Sequence, residues 1–478
     1  MQALPEELER APGRGPTPTR ARAAWTAETR ASLRLAVPLA LTQVGQIAIT
    51  ATDTVMMGWI GPEALAAGAL AINVYLPLFL FALGIVTAVA PFAAQALGAN
   101  RRREVRRVVR QGFWVAAAVG VPIAVVIWQA RPILLALGQA SDTAAMAESY
   151  VRPMVWGLVP ALWFIVLRSF AAALDRPRPV MIFMFGGVAV NAVLDYGLMF
   201  GHFGFPAIGL AGAGAATSVA HMFMFFGLLA YVVRRRGFRR YAILVRLWRH
   251  DWSRFAQILR LGTPIGVTII AEVGMFAAAA FLMGLMGTRE LAAHAIALQC
   301  ASIAFMVPLG ISQAAVIRTG RAVGAGDRAG VGRAGWVAVA LGAGFTTLTA
   351  LLFLLAPWPL VGLFLELDVP GNRAVAEFAV TLLAIAALFQ LVDGAQAICA
   401  GALRGLRDTR VPMVIAAIGY WGVGFIASVV LAFPLGLGGV GVWVGMALGL
   451  AVVAVLMLRR FHLRERLALG VPVFAPAQ

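Results

Sequence analysis

Four acidic residues lie inside long apolar stretches of this sequence: Asp53, Asp195, Glu272 and Asp393. A charge at the centre of a bilayer-spanning helix costs about 2.5–3.5 kcal/mol on insertion scales. Residues kept at that cost face a cavity or a partner and mark ion and substrate paths. Burial away from water favours the neutral form of a carboxyl group, and a second carboxyl nearby favours it further for one of the two. Such a group can take up and release a proton, or hold Na⁺ through its oxygens. Depth can be counted from the arginines that bound each run. Asp53 lies 19 residues past Arg34 and Asp195 lies 17 past Arg178, about 28 and 26 Å at helical rise. Glu272 is 12 residues past Arg260 and Asp393 is 11 before Arg404, about 18 and 17 Å. Each half of the chain is thus expected to hold a depth-matched acidic pair. Asn191 stands one turn before Asp195 on the same helix face, where it is expected to hold that carboxyl directly or through water. The competing reading is that these side chains only cap or bridge helices. Glu63, Asp142 and Asp368 read as ordinary loop charges.

The elements that must position these residues follow from composition. The chain has 478 residues, 61% hydrophobic and 13% charged, with a mean hydropathy of +0.87. Soluble domains carry about 25% charged residues, and single soluble cores stop growing near 300 residues. Lipid is the solvent that fits. A spanning helix needs about 20 apolar residues. Twelve apolar runs can be marked, from 33–57 at the start to 438–459 at the end. The fold class expected is all-α: a polytopic membrane protein of twelve transmembrane helices.

All 39 basic residues are arginine, and the net charge is +18. A soluble protein this basic would suggest nucleic acid. Here the arginines gather in alternate short loops, as at Arg101–Arg103, Arg234–Arg236 and Arg459–Arg460, which is orientation chemistry rather than a nucleic-acid stripe. The positive-inside rule then places both termini in the cytoplasm of a bacterial inner membrane. Residues 1–30 lack the apolar core of a signal peptide and read as a disordered tail. Residues 31–233 and 256–460 read as two six-helix lobes, 234–255 as a linker on the inner membrane surface, and 461–478 as a second tail. Cys300 and Cys399 both fall in apolar segments and read as packing residues. The five histidines show no ligand spacing, so no resident metal is expected.

The halves repeat at an offset of 226 residues. MMGWIGPEALAAGALA (56–71) lines up with LMGLMGTRELAAHAIA (282–297), and the register runs without a gap from Pro38 with Pro264 to Gly98 with Gly324. Six helices return the chain to its starting side, so the halves are parallel repeats. That arrangement occurs in secondary transporters, with the substrate site between the halves. Pro38 and Pro264 remove a backbone hydrogen bond in equivalent helices and are candidate hinges. Trp163, Phe164, Met275, Phe276, Tyr420 and Trp421 are candidate lining for a cavity that takes flat cations.

The segments TDTVMMGWIG (52–61), PLFLFALGIVTAVAPFAAQALGA (77–99), AEVGMFAAAAFLMGLMG (271–287), AAHAIALQ (292–299) and VDGAQAICAGALRGLRD (392–408) resemble those of the multidrug and toxic compound extrusion (MATE) transporters, in the NorM-like bacterial branch. The resemblance spans roughly residues 30–460. It implies two bundles around a central cavity and export of cationic or aromatic compounds against H⁺ or Na⁺. It implies no cofactor, small organic cations or aromatic drugs and membrane lipids as partners, no nucleic acid, and a monomer. Asp53, Glu272 and Asp393 match the family's acids in the first, seventh and tenth helices, where the last two would hold any Na⁺. Asn191 and Asp195 look like the Asn-x-x-x-Asp arrangement of the DNA-damage-inducible branch. Phe389 stands where related sequences often place Tyr, which weakens the case for Na⁺ in the C-terminal lobe.

Two other classes remain for comparison. A lipid-linked-sugar flippase would need a strongly cationic cavity, whereas the intramembrane charges here are mainly acidic, with Arg168 as the main exception. A membrane enzyme would need clustered aspartates for Mg²⁺ or a nucleophilic constellation. The sequence has neither, nor a Walker-type glycine loop, so no enzymatic activity is expected.

Overall fold

A computed structural model describes residues 18–367 and 369–470. Asp368, residues 1–17 of the first tail and 471–478 of the second lie outside the described residues. The first half comprises α1 (Pro18–Ile60), α2 (Pro62–Gly98), α3 (Arg102–Trp128), α4, α5 (Arg178–Phe200) and α6 (Leu210–Arg234). The second comprises α7 (Trp252–Met286), α8 (Thr288–Gly324), α9 (Arg328–Leu355), α10 (Arg373–Gly405), α11 (Arg410–Ala432) and α12 (Gly438–His462). Helix α4 is two pieces, Ser141–Val155 and Leu158–Ala173, bent by 45°. Among the described residues, eleven helices are long and apolar enough to cross a membrane, and the bent α4 makes twelve. The expected all-α, twelve-helix architecture is present.

The bend in α4 goes with a change in its backbone pairing. At the break the Gly157 amide no longer pairs with the Pro153 carbonyl four residues before it, and both find a partner on α6. The hydroxyl of Ser218 donates to the Pro153 carbonyl at 2.6 Å and accepts from the Gly157 amide at 2.9 Å. Apolar side chains such as Phe281, Leu355 and Val455 stand exposed on the perimeter, where lipid rather than water is their solvent.

One sequence reading needs correction. Residues 18–30 continue α1 as helix and are not part of a disordered tail. The stretch is rich in Ala and Arg, both strong helix formers. It is also anchored, because Glu28 takes a two-pronged ion pair from Arg318 of α8 at 2.7 and 2.6 Å.

The repeat is visible in the backbone. Gly61 and its mate Gly287 begin α2 and α8 at φ of 149° and 150°, a region open only to glycine. Pro38 and Pro264 lie inside continuous helices, and each carbonyl accepts from a threonine four residues on, Thr42 at 2.7 Å and Thr268 at 2.8 Å. Replacing Gly61 or Gly287 by Ala should cost about 1–3 kcal/mol each. It should lower the melting temperature in detergent. An unchanged melting curve would mean that the turn relaxes freely.

The lobes meet in the arginine-rich half. An added Cβ on Gly84 of α2 would lie 2.5 Å from Cα of Gly266 on α7, and one on Gly310 of α8 would lie 2.6 Å from Cα of Ala40 on α1. These two contacts are repeat mates at the same offset of 226. Below them, ion pairs cross between lobes: Glu104 with Arg254 at 2.8 Å, Arg107 with Asp251 at 3.2 Å, and Asp175 with Arg321. The linker is pinned to α3, whose Arg110, Gln111 and Trp114 donate to the carbonyls of Arg246, Arg249 and Leu247.

Candidate functional site

Above the closed arginine-rich end, a chamber of about 600 Å³ lies between the lobes. That is the size of a pocket for a drug-sized molecule. Helices α1, α2, α4 and α6 of one lobe and α7, α8 and α10 of the other contribute its walls. Two carboxylates reach it, Asp53 from α1 and Glu272 from α7. They are not repeat mates. The mate of Glu272 is Gln46, which also lines the chamber, and the mate of Asp53 is Ala279.

Asp53 is the centre of a buried network. It is 2% exposed, and its Oδ2 accepts from the Tyr150 hydroxyl at 3.0 Å and the Thr217 hydroxyl at 2.9 Å. Its Oδ1 accepts from Asn191 Nδ2 at 3.1 Å. The Asp195 carboxyl, on α5 behind it, comes within hydrogen-bonding reach of the Asp53 carboxyl. Both Asp195 oxygens are buried and have no protein donor. Two carboxylates are acceptors only, so this contact is a hydrogen bond only when a proton sits between them. The sequence placed Asp53 and Asp195 at one depth, and the structure brings them together. It differs over Asn191, which was expected to hold Asp195. Its amide nitrogen reaches Asp53 instead, and its Oδ1 is left buried without a donor.

The second cluster is built around a glutamine. Gln396 Nε2 donates to Glu272 Oε1 at 3.1 Å and to Asp393 Oδ1 at 3.2 Å, and Gln396 Oε1 accepts from Tyr420 at 2.9 Å. Glu272 and Asp393 are thus joined, as their shared depth implied, with Asp393 behind and Glu272 at the chamber wall. Tyr420 is placed by a π-helical stretch of α11, Ile418–Phe425. Such wider turns are rare and often occur at functional sites. Phe389 lies apart from this cluster. It is packed against Phe276 and Trp443, with ring centres 6.0 and 5.6 Å away, so Tyr420 supplies the hydroxyl of this lobe.

Sequence reasoning missed Tyr150, Thr217 and Gln396 as network members. Of the six candidate lining residues, only Phe276 borders the chamber; Trp163, Phe164, Met275, Tyr420 and Trp421 do not. Tyr75, Phe79, Tyr150 and Phe305 also line it. Arg404 was counted as a loop arginine, but it lines the chamber floor at the end of α10, together with Arg168 of α4. Both cysteines are buried and unpaired.

A chamber between two repeated six-helix lobes, walled by buried carboxyl networks, suits a secondary transporter. The model of one known family, MatE, matches residues 38–197 and 264–430. The chain belongs to the MatE family. It is 50% identical over 446 residues to the "Probable multidrug resistance protein NorM" of Mesorhizobium japonicum, covering 93% of this chain and 96% of that one. It is 40% identical over 440 residues to the "Multidrug resistance protein NorM" of Burkholderia vietnamiensis, covering 92% and 95%. Its fold matches the crystal structure of the eukaryotic MATE transporter AtDTX14 with a TM-score of 0.82 at 20% identity, over 92% of this chain and 96% of that one. The resemblance read from the sequence motifs is thereby confirmed at the level of family and fold. In this MatE chain both matched regions contain an acidic network, Asp53 with Asp195 and Glu272 with Asp393.

Proposed function

We propose that this MatE protein is a multidrug exporter that works by antiport. A coupling cation, H⁺ or Na⁺, enters and an organic cation or aromatic compound leaves, by alternating access of the chamber. The observation that carries this reading is the contact between Asp53 and Asp195. The buried Asp195 oxygens have no protein donor, and a proton or a small cation can bridge them to Asp53. A proton is the minimal occupant. Na⁺ is a second reading, favoured by the orphaned Asn191 Oδ1, because a hard cation takes oxygen ligands. Asn191, Asp195 and Asp53 would supply them.

Asp53 also faces the chamber, so cargo and cation compete for one carboxylate. Two ligands that weaken each other at equilibrium do so by the same factor in both directions. Asp393 and Glu272 form the counterpart in the other lobe, where cargo bearing a positive charge can be held. The arginine-rich end faces the cytoplasm by the positive-inside rule, so the closed floor makes this an outward-facing arrangement. Pro38 and Pro264, in the helices that carry Asp53 and Glu272, are the places where each helix can bend as the lobes rock. Relatives named for multidrug resistance over more than nine-tenths of the chain support the substrate class.

The test is export of a cationic dye from proteoliposomes with pH and Na⁺ gradients imposed separately. One of the two gradients should drive dye against its concentration. Failure of both would remove the basis for antiport.

A further inference from the structure

A second cavity, of about 310 Å³, lies at the arginine-rich end of the first lobe and shares no lining residue with the chamber. Its walls are Arg34 of α1, residues 175–179 leading from α4 into α5, and Tyr231 of α6. Three of these residues are arginines: Arg34, Arg176 and Arg178. All three are exposed, and among the described residues none has a hydrogen bond or ion pair. Other arginines at this end differ, since Arg254, Arg318, Arg321 and Arg460 are each paired with a carboxylate. The one acid in the cavity wall, Asp175, is itself neutralised by Arg321 of α8. The cavity therefore keeps the positive charge of all three arginines.

The frame around that charge is stiff. Pro177 and Pro179 fix the backbone of the turn. The Arg176 guanidinium lies over the Phe238 ring at 5.7 Å, which holds its plane and leaves its N–H edge free to donate. Depth matters as well. Arg34 and Arg178 bound the apolar runs of α1 and α5, so the cavity sits at the surface level of the bilayer. One turn further in, on the same helix faces, Val37 and Ile182 stand exposed, where lipid is their solvent. A ligand with an anion above and hydrocarbon below meets both conditions.

We infer that this cavity is a binding site for the phosphate headgroup of an anionic phospholipid, whose acyl chains lie along α1 and α5. Basic pockets between helix ends suit such headgroups, and an arginine fork binds phosphate through two parallel N–H donors. A zwitterionic lipid also carries a phosphate, but its ammonium group is repelled by three guanidinium groups. Free phosphate has the charge and none of the hydrocarbon contact.

The experiment counts lipids retained by the purified protein. Protein in mild detergent is titrated with phosphatidylglycerol or with phosphatidylcholine of the same acyl chains, and bound lipid is read by native mass spectrometry. Wild type should retain phosphatidylglycerol in preference. Arg34→Gln combined with Arg178→Gln should weaken that binding about thirtyfold, from roughly fivefold for each arginine near a charged lipid surface. Arg102→Gln combined with Arg103→Gln removes the same charge from exposed positions at the start of α3 and should leave the binding near wild type. Both variants replace exposed side chains without partners, so both should melt as the wild type does. Glycerol phosphate at the same concentration as the lipid should not displace it. Equal losses in the two double variants would mean a diffuse surface field and would overturn the site. Equal retention of the two lipids by wild type, or displacement by glycerol phosphate, would overturn it without recourse to any variant.

Discussion

Asp53→Asn should reduce coupled export to the level of empty vesicles while leaving the protein folded. The carboxylate accepts three hydrogen bonds, from Tyr150, Thr217 and Asn191, and contacts Asp195. Asn cannot share a proton with Asp195, and it cannot carry the charge that a cation neutralises. The variant should nevertheless insert and melt at the wild-type temperature or above it. Replacing a buried charge by a neutral group of the same shape is often neutral or stabilising. Loss of export with retained stability separates a coupling residue from a structural one. Dye export in proteoliposomes and thermal unfolding in detergent, run on one preparation, give both numbers. Full export by Asp53→Asn would shift the coupling site to Glu272 and Asp393.

The second large effect is mechanical. Gly84→Leu combined with Gly310→Leu should abolish export by wedging the lobes apart at the arginine-rich end. At these positions the facing atoms are backbone: the Cα of Gly266 at 2.5 Å and of Ala40 at 2.6 Å from an ideal Cβ. A flexible side chain could swing away from a new methyl group, but helix backbone cannot. Overpacking a well-fitted site costs about 1–3 kcal/mol, and here the closed state bears that cost while the opened state does not. The double variant should therefore fold and still fail to close. Gly84→Ala alone should give a partial loss. Wild-type export by the double Leu variant would mean that the lobes do not need this contact.

Much of this was legible in the sequence because charge is conspicuous in lipid. Asp53, Asp195, Glu272 and Asp393 stand out against apolar neighbours, and counting residues from the flanking arginines matched their depths. The repeat was legible because Gly61 and Gly287 must both be glycine at their backbone angles. Tyr150, Thr217 and Gln396 were not legible. Tyr150 and Thr217 reach Asp53 across 97 and 164 residues of sequence, and Gln396 reaches Glu272 across 124, though its other partner, Asp393, is three residues away on the same helix; neutral polar side chains are common in membrane helices. Arg404 was misplaced for a different reason. A helix end and a loop start look alike in composition, and α10 runs on to Gly405. Residues 18–30 were misread because their anchor, Arg318, is supplied by α8 rather than by local sequence.

The most direct measurement is of protons or Na⁺ set free when cargo binds. Purified protein in weakly buffered solution is mixed with a cationic dye, and the pH change and Na⁺ release are recorded together. Binding should release one or the other in proportion to occupied protein, and Asp53→Asn should release neither. Dye binding with no ion released from the wild-type protein would contradict competition at the buried carboxyls.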